Sequence, residues 1–113
     1  MVIGMSQDAQ FGPVIMFGLG GLFIEILKDV SFRLVPLNDK DAGDMIKEIK
    51  GYPLLQGYRG QDSLDIEYLK SLLLKTSLLV KDHPEIEQID INPIFVYKKG
   101  AMAVDARVIL NVN

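Results

Sequence analysis

From Ile89 to Arg107 the chain carries two arms of alternating character. They are Ile89-Asp90-Ile91-Asn92-Pro93-Ile94-Phe95-Val96-Tyr97 and Ala101-Met102-Ala103-Val104-Asp105-Ala106-Arg107, joined by Lys98-Lys99-Gly100. Two β-branched or apolar runs with polar residues at every second place, linked by a glycine-containing turn, read as a β-hairpin. Successive side chains of a strand point to opposite faces, so Asp90 and Asn92 share one face and Ile89 and Ile91 the other. On the returning arm Asp105 and Arg107 share a face opposite Val104 and Ala106. A loop with an even number of residues brings Asp90, Asn92, Asp105 and Arg107 onto one surface, but the turn sequence leaves the register open.

Two carboxylates and an amide carbonyl on one surface make a hard-oxygen site. The hairpin contains neither Cys nor His, which argues against zinc. Magnesium suits such a site, because one or two carboxylates hold it while substrate phosphates and water fill the other positions. The plainer alternative is a hairpin with a solvated polar face.

The N-terminal third reads as β structure. Met1 to Ser6 is a short apolar strand, Gln7 to Gly12 a polar turn, and Pro13-Val14-Ile15-Met16-Phe17 a continuous apolar strand covered on both faces. After Gly18-Leu19-Gly20-Gly21, a strand is expected over Leu22 to Leu27. Another is expected over Val30 to Val35, closed by Pro36. Closely spaced glycines let backbone amides approach an anion, yet this loop lacks the helix that a P-loop or dinucleotide fingerprint requires after it. Glu25 and Arg33 are charges embedded in apolar strands, so each must be paired or face water.

The middle is helical. Asn38 or Asp39 caps a helix whose Ala42, Met45, Ile46 and Ile49 recur on one face before Gly51 stops it. Gly51 to Gly60 is expected to be a loop, with Arg59 a candidate anion contact. A second helix is expected from Asp62, with Asp65 in its first turn. It is apolar almost all round and ends at His83-Pro84. His83, the only histidine, reads as a surface residue at a helix end. The sum is an α+β fold, a largely antiparallel sheet with two helices on one face.

Composition narrows the function classes. The net charge is −3 with no basic run, which argues against nucleic acid as a partner. There is no cysteine, hence no disulfide framework and no thiol nucleophile. The apolar run from Pro13 to Ile24 is too short and too interrupted by glycine for a membrane helix, and no secretory signal is visible. A cytoplasmic setting and no membrane partner are expected.

Asp90-Ile91-Asn92-Pro93, followed thirteen residues after the Asn by Val104-Asp105-Ala106-Arg107, resembles the metal-binding hairpin of the ATP-grasp domain in ADP-forming acyl-CoA synthetases. That family includes the acetate–CoA ligases and, more distantly, the succinyl-CoA synthetase β subunit. The stretches Gly4 to Asp8, Gln10 to Gly21, Lys28 to Arg33 and Gly57-Tyr58-Arg59-Gly60 are similar to the same family, so the resemblance covers essentially the whole chain. It implies the C-terminal lobe of an ATP-grasp fold, with residues 1–113 a single partial domain whose N-terminal lobe is absent.

In the resemblance, Asn92 and Asp105 bind the magnesium of the nucleotide, and Asp90 lies where a phosphohistidine is presented to it. Succinyl-CoA synthetases usually have Glu at the position of Asp90. Gly18, Gly20 and Gly21 sit beside the nucleotide-phosphate cleft, and Arg33 is a cleft cation that contacts phosphate, with Glu25 orienting it. The implied cofactors are Mg2+ and ATP or ADP. The implied reaction interconverts acid, CoA and ATP with acyl-CoA, ADP and phosphate. The implied partners are the remaining ATP-grasp lobe and the CoA-binding and phosphohistidine domains or subunit. Two other readings stand beside this one. In one, the lobe is a regulatory region of a protein lysine acetyltransferase. In the other, it is a non-catalytic module that forms homo-oligomers through unpaired sheet edges.

Overall fold

A computed structural model describes residues 1–111. Five strands form one sheet in the order β3-β2-β1-β4-β7. They are β1 (Val2–Asp8), β2 (Gly12–Gly18), β3 (Val30–Leu34), β4 (Ile86–Ile91) and β7 (Ala106–Leu110), and every pairing is antiparallel. A second, two-stranded sheet pairs β5 (Ile94–Val96) with β6 (Ala101–Ala103). The expected α+β architecture is therefore present.

One face of the large sheet carries Ile3 and Met5 from β1, Ile15 and Phe17 from β2, and Ile89 from β4, all buried. Helices α2 (Asp39–Glu48) and α4 (Ile66–Asp82) cover this face, contributing Ala42, Met45, Ile46, Leu69, Leu73 and Val80 to the same core. The α2 N-terminus is a capping box. Asp41 N–H donates to Asn38 Oδ1 at 2.8 Å, and Asn38 N–H donates to Asp41 Oδ2 at 2.9 Å, which satisfies two otherwise orphan donors. Inside the core, Ser31 Oγ donates to Met45 O, and Ser77 Oγ accepts from Leu37 N–H, each at 2.8 Å.

The other face is open. The register places Gly4 beside Asp90 and Met16, and Met16 beside Phe32. Ser6 stands beside Gln88 and Val14, and Val14 beside Leu34. Phe32, Leu34 and Ile109 on this face are exposed.

Four expectations are corrected. Strand β2 is covered by helices on the Ile15 and Phe17 side and open on the Val14 and Met16 side, not covered on both. The run from Leu22 is not a strand but a single helical turn, α1 (Leu22–Glu25). Gly20 and Gly21 take φ of 95° and 52°, turning the chain so that the amides of Ile24 and Glu25 reach Gly21 O at 3.1 and 3.0 Å. A short apolar run satisfies strand and helix patterns alike, and the glycines decided between them. The stretch from Gly51 to Gly60 is not a plain loop. It holds α3 (Tyr52–Leu55), with Pro53 in its first turn where a missing N–H costs nothing, and a 3-10 turn over Tyr58–Gly60. Helix α4 starts at Ile66 rather than Asp62, because Asp65 is its N-cap and accepts from Tyr68 N–H at 3.0 Å.

The apolar girth of α4 is only half used within this chain. Leu69, Leu73 and Val80 are buried, whereas Leu78 and Leu79 on the far side are exposed. No helix among the described residues is long and apolar enough to cross a membrane.

Candidate functional site

The Ile89 to Arg107 segment forms a hairpin in a single register, interrupted once. Asp90 pairs with Arg107 and Ile91 with Ala106 in the large sheet, then Ile94 pairs with Ala103 and Phe95 with Met102 in the small one. At the interruption, Asn92 N–H donates to Asp105 O at 3.1 Å and Val104 N–H to Pro93 O at 2.9 Å, so the pairing carries straight across. Pro93 has no N–H to add to the ladder, which is why the strand breaks there. The Asn92–Pro93 peptide is cis. Beyond it Tyr97 N–H donates to Gly100 O at 3.0 Å and closes the turn, which leaves an even loop between the arms.

Asp90 and Arg107 therefore face each other across β4 and β7, and Asn92 and Asp105 face each other one step nearer the sheet end. All four residues are exposed. The side chains of Asn92 and Asp105 make no hydrogen bond or ion pair among the described residues, so their oxygens are available. The described residues hold no cluster of three or more His, Cys, Asp or Glu side chains placed for a metal ion. An amide and a carboxylate with free oxygens fit a magnesium ion that takes its other ligands from phosphate and water, and they do not make an all-protein cage.

The glycine loop lies at the same end of the sheet. Gly18 pairs with Val2 and Ile3 pairs with Ile91, so Gly18 sits two strands from the Asn92 position, roughly 10 Å at ordinary strand spacing. A side chain at Gly20 would come within 3.1 Å of Val2 Cγ2, so the loop lies close against β1. Met1 and Ile94 exchange backbone hydrogen bonds of 2.7 and 2.8 Å, holding the base of the small sheet to β1. Gly18, Gly20, Gly21, Asn92 and Asp105 are thus grouped at one end of the sheet.

Arg33 is placed elsewhere. It pairs with Ile15, a residue of the helix-covered face, and its guanidinium donates to Glu48 of α2 through both terminal nitrogens and to Phe32 O at 2.8 Å. Alternation along β3 puts Phe32 on the open face and Arg33 on the other, so Arg33 and Asp90 lie on opposite faces of the sheet. The expected orienting partner Glu25 is replaced by Glu48. Arg59 is stacked over the ring of Tyr58, 5.6 Å from its centroid, at a left-handed backbone position.

Two contributors were legible only in part. Arg107 belongs to the alternating arm, but its position opposite Asp90 depends on the register. The sequence places Asp65 in the first turn of α4. Its carboxylate also accepts Gly100 N–H at 2.7 Å, and its own N–H donates to Tyr97 O at 2.8 Å, which ties the hairpin turn to the helix. The Gly100 and Tyr68 amides hold the Asp65 carboxyl below the usual carboxylate range.

Residues 1–110 match the family model of the ATP-grasp domain, and the chain belongs to that family. Its relatives include ADP-forming acetate–CoA ligases. It is 56% identical over 110 residues to the β subunit of acetate–CoA ligase [ADP-forming] I from Pyrococcus furiosus, covering 97% of this chain and 47% of that subunit. It is 46% identical over 110 residues to acetate–CoA ligase [ADP-forming] I of Archaeoglobus fulgidus, covering 97% of this chain and 16% of that protein. Among solved structures, it superposes with a TM-score of 0.92 on an acetyl-coenzyme A synthetase 1 of Ca. Korarchaeum cryptofilum at 50% identity. The match covers 96% of this chain and 51% of that one, whose structure contains coenzyme A and Mg-AMPPCP with a phosphohistidine segment pointing towards the nucleotide site. The chain spans about half the length of the P. furiosus β subunit.

Proposed function

We propose that this chain is the metal- and nucleotide-phosphate-binding lobe of an ADP-forming acid–CoA ligase, one half of a cleft that a further lobe completes. The observation that carries the reading is the opposition of Asn92 and Asp105 at the glycine-loop end of the sheet, with the oxygens of both side chains unengaged. In this reading Asn92 and Asp105 hold Mg2+ bound to ATP or ADP. Gly18, Gly20 and Gly21 bring backbone close to the nucleotide phosphates, and Asp90 faces the incoming phosphohistidine and orients its imidazole. The metal supplies charge neutralisation at the phosphate oxygens and a fixed geometry for in-line transfer. Phosphoryl transfer needs positioning and electrostatic stabilisation more than a protein nucleophile, so a face whose amide, carboxylates and close backbone position metal and phosphates needs no nucleophile of its own. The half of the P. furiosus β subunit that this chain does not span supports a further lobe, and coenzyme A and phosphohistidine chemistry would reside in other domains or a second subunit. Arg33, tied to Glu48 on the helix-covered side of the sheet, takes no part in this reading of the site.

The test is calorimetric titration of Mg-ADP and Mg-ATP into the purified chain, with Asp105→Ala as control. Binding that requires magnesium and disappears in the variant is expected. Equal binding by Asp105→Ala, or binding indifferent to magnesium, would overturn the assignment.

A further inference from the structure

The open face of the large sheet is poor in charge. Among the described strand residues that the register places there, Gly4, Ser6, Val14, Met16, Phe32, Leu34, Gln88 and Ile109 are neutral. Asp8, at the far end, spends its carboxylate on the amides of Gln10 and Phe11 at 2.8 and 2.9 Å. Glu87, at the β4 bulge, borders the face beside Ser6, Gln88 and Ile109, and nearer Asn92 the charges are Asp90 and Arg107, paired across β4 and β7. They line a small depression with Gln88 and Ile109. Despite facing a carboxylate from the neighbouring strand, the Arg107 guanidinium forms no ion pair among the described residues. The chain has three arginines, and the other two are engaged, Arg33 with Glu48 and Arg59 over Tyr58.

We propose that Arg107 is the phosphoryl-binding residue of this face, receiving the group in transit at the γ position beside the metal held by Asn92 and Asp105. This rests on the nucleotide reading above and extends it. Charge makes the case. A divalent cation held by Asn92 and Asp105, with Asp90 close by, has its charge balanced by the two carboxylates, and Arg107 supplies the positive charge for an incoming phosphoryl anion. Geometry agrees, because Arg107 stands opposite Asp90 two residues beyond Asp105, whose carbonyl accepts the Asn92 N–H where the pairing continues past the end of β7. Its forked, permanently charged guanidinium matches the oxygens of a phosphoryl group. Asp90, opposite, remains free to orient an imidazole donor or acceptor.

Three arginines give three side-chain Nε–Hε resonances, so nuclear magnetic resonance of the intact chain reads the proposal directly. Mg-ADP, Mg-ADP with inorganic phosphate, and Mg-ATP are titrated in turn. The Arg107 resonance is expected to move with Mg-ATP and with phosphate added to Mg-ADP, while those of Arg33 and Arg59 stay in place. Arg107→Ala is expected to weaken phosphate at least about tenfold, the usual effect of losing a charge-assisted hydrogen bond, with the loss falling on phosphate and Mg-ATP more than on Mg-ADP. An Arg107 resonance that moves fully with Mg-ADP alone, or never moves, overturns the proposal. In either case amide shifts at Asn92 and Asp105 on adding Mg-ADP would leave the nucleotide reading standing. Loss of those amide shifts would instead mark failure of the nucleotide reading itself.

Discussion

The Asn92 amide donates to the backbone carbonyl of Asp105 at 3.1 Å, so the two residues are joined through their backbones and leave both side chains free. Shortening Asp105 to Ala therefore removes a ligand without removing the bond that sets the hairpin. The variant is expected to keep its circular dichroism spectrum and to lose no more than about 0.5 kcal/mol of stability, as for an exposed site without a structural partner. Its magnesium-dependent nucleotide binding should vanish. Unfolding of the variant would show that the carboxylate is structural.

Gly51 is required by packing rather than by backbone angle. A Cβ there would lie 2.3 Å from Leu19 Cδ1 and 3.3 Å from Asp29 Oδ2. Asp29, itself buried, accepts Lys50 N–H at 2.6 Å and Gly51 N–H at 2.8 Å, joining the start of β3 to the end of α2. Gly51→Ala should cost about 1–3 kcal/mol, as overpacking does, measured by urea unfolding. An unchanged midpoint would mean that Leu19 moves aside freely.

Acid should loosen the attachment of the hairpin turn to α4. The folded-state pKa of Asp65 is depressed below 3.8, first by the Gly100 amide and then by Tyr68. Its contribution is thus fully present above that ordinary value and is lost as pH falls through the lower folded value. The stability difference between the wild type and Asp65→Asn should be constant near neutrality and shrink below about pH 4. A difference that persists undiminished in acid would remove Asp65 charge from the account.

Glu48→Gln tests the position of Arg33. The pair is partly exposed on the helix side of the sheet, so its loss should cost at most about 1 kcal/mol. Magnesium-dependent nucleotide affinity should stay the same, because Glu48 and the Asn92–Asp105 pair are on different sides of the sheet. A large change in affinity would show coupling through β3.

Local chemistry in the sequence was enough for much of this architecture. Alternation in Ile89 to Arg107 marked both hairpin arms, Asn38 marked the start of α2, and Ala42, Met45 and Ile46 marked its buried face. These signals are local, since side-chain direction repeats every two residues in a strand and about every 3.6 in a helix. Leu22 to Leu27 was illegible for the same reason, because its apolar residues suit either period and two glycines in left-handed geometry settled the matter. Only tertiary structure could decide which charges meet. The face that Arg33 occupies depends on the β2–β3 register and on Glu48 arriving from α2, fifteen residues further along. The opposition of Asp90 to Arg107 depends on a pairing that continues past Pro93. Residue types and their spacing belonged to the sequence. Which side of the sheet each charge lies on, and which partner it finds, came from strand register and helix placement, where a shift of one residue turns every side chain to the other face.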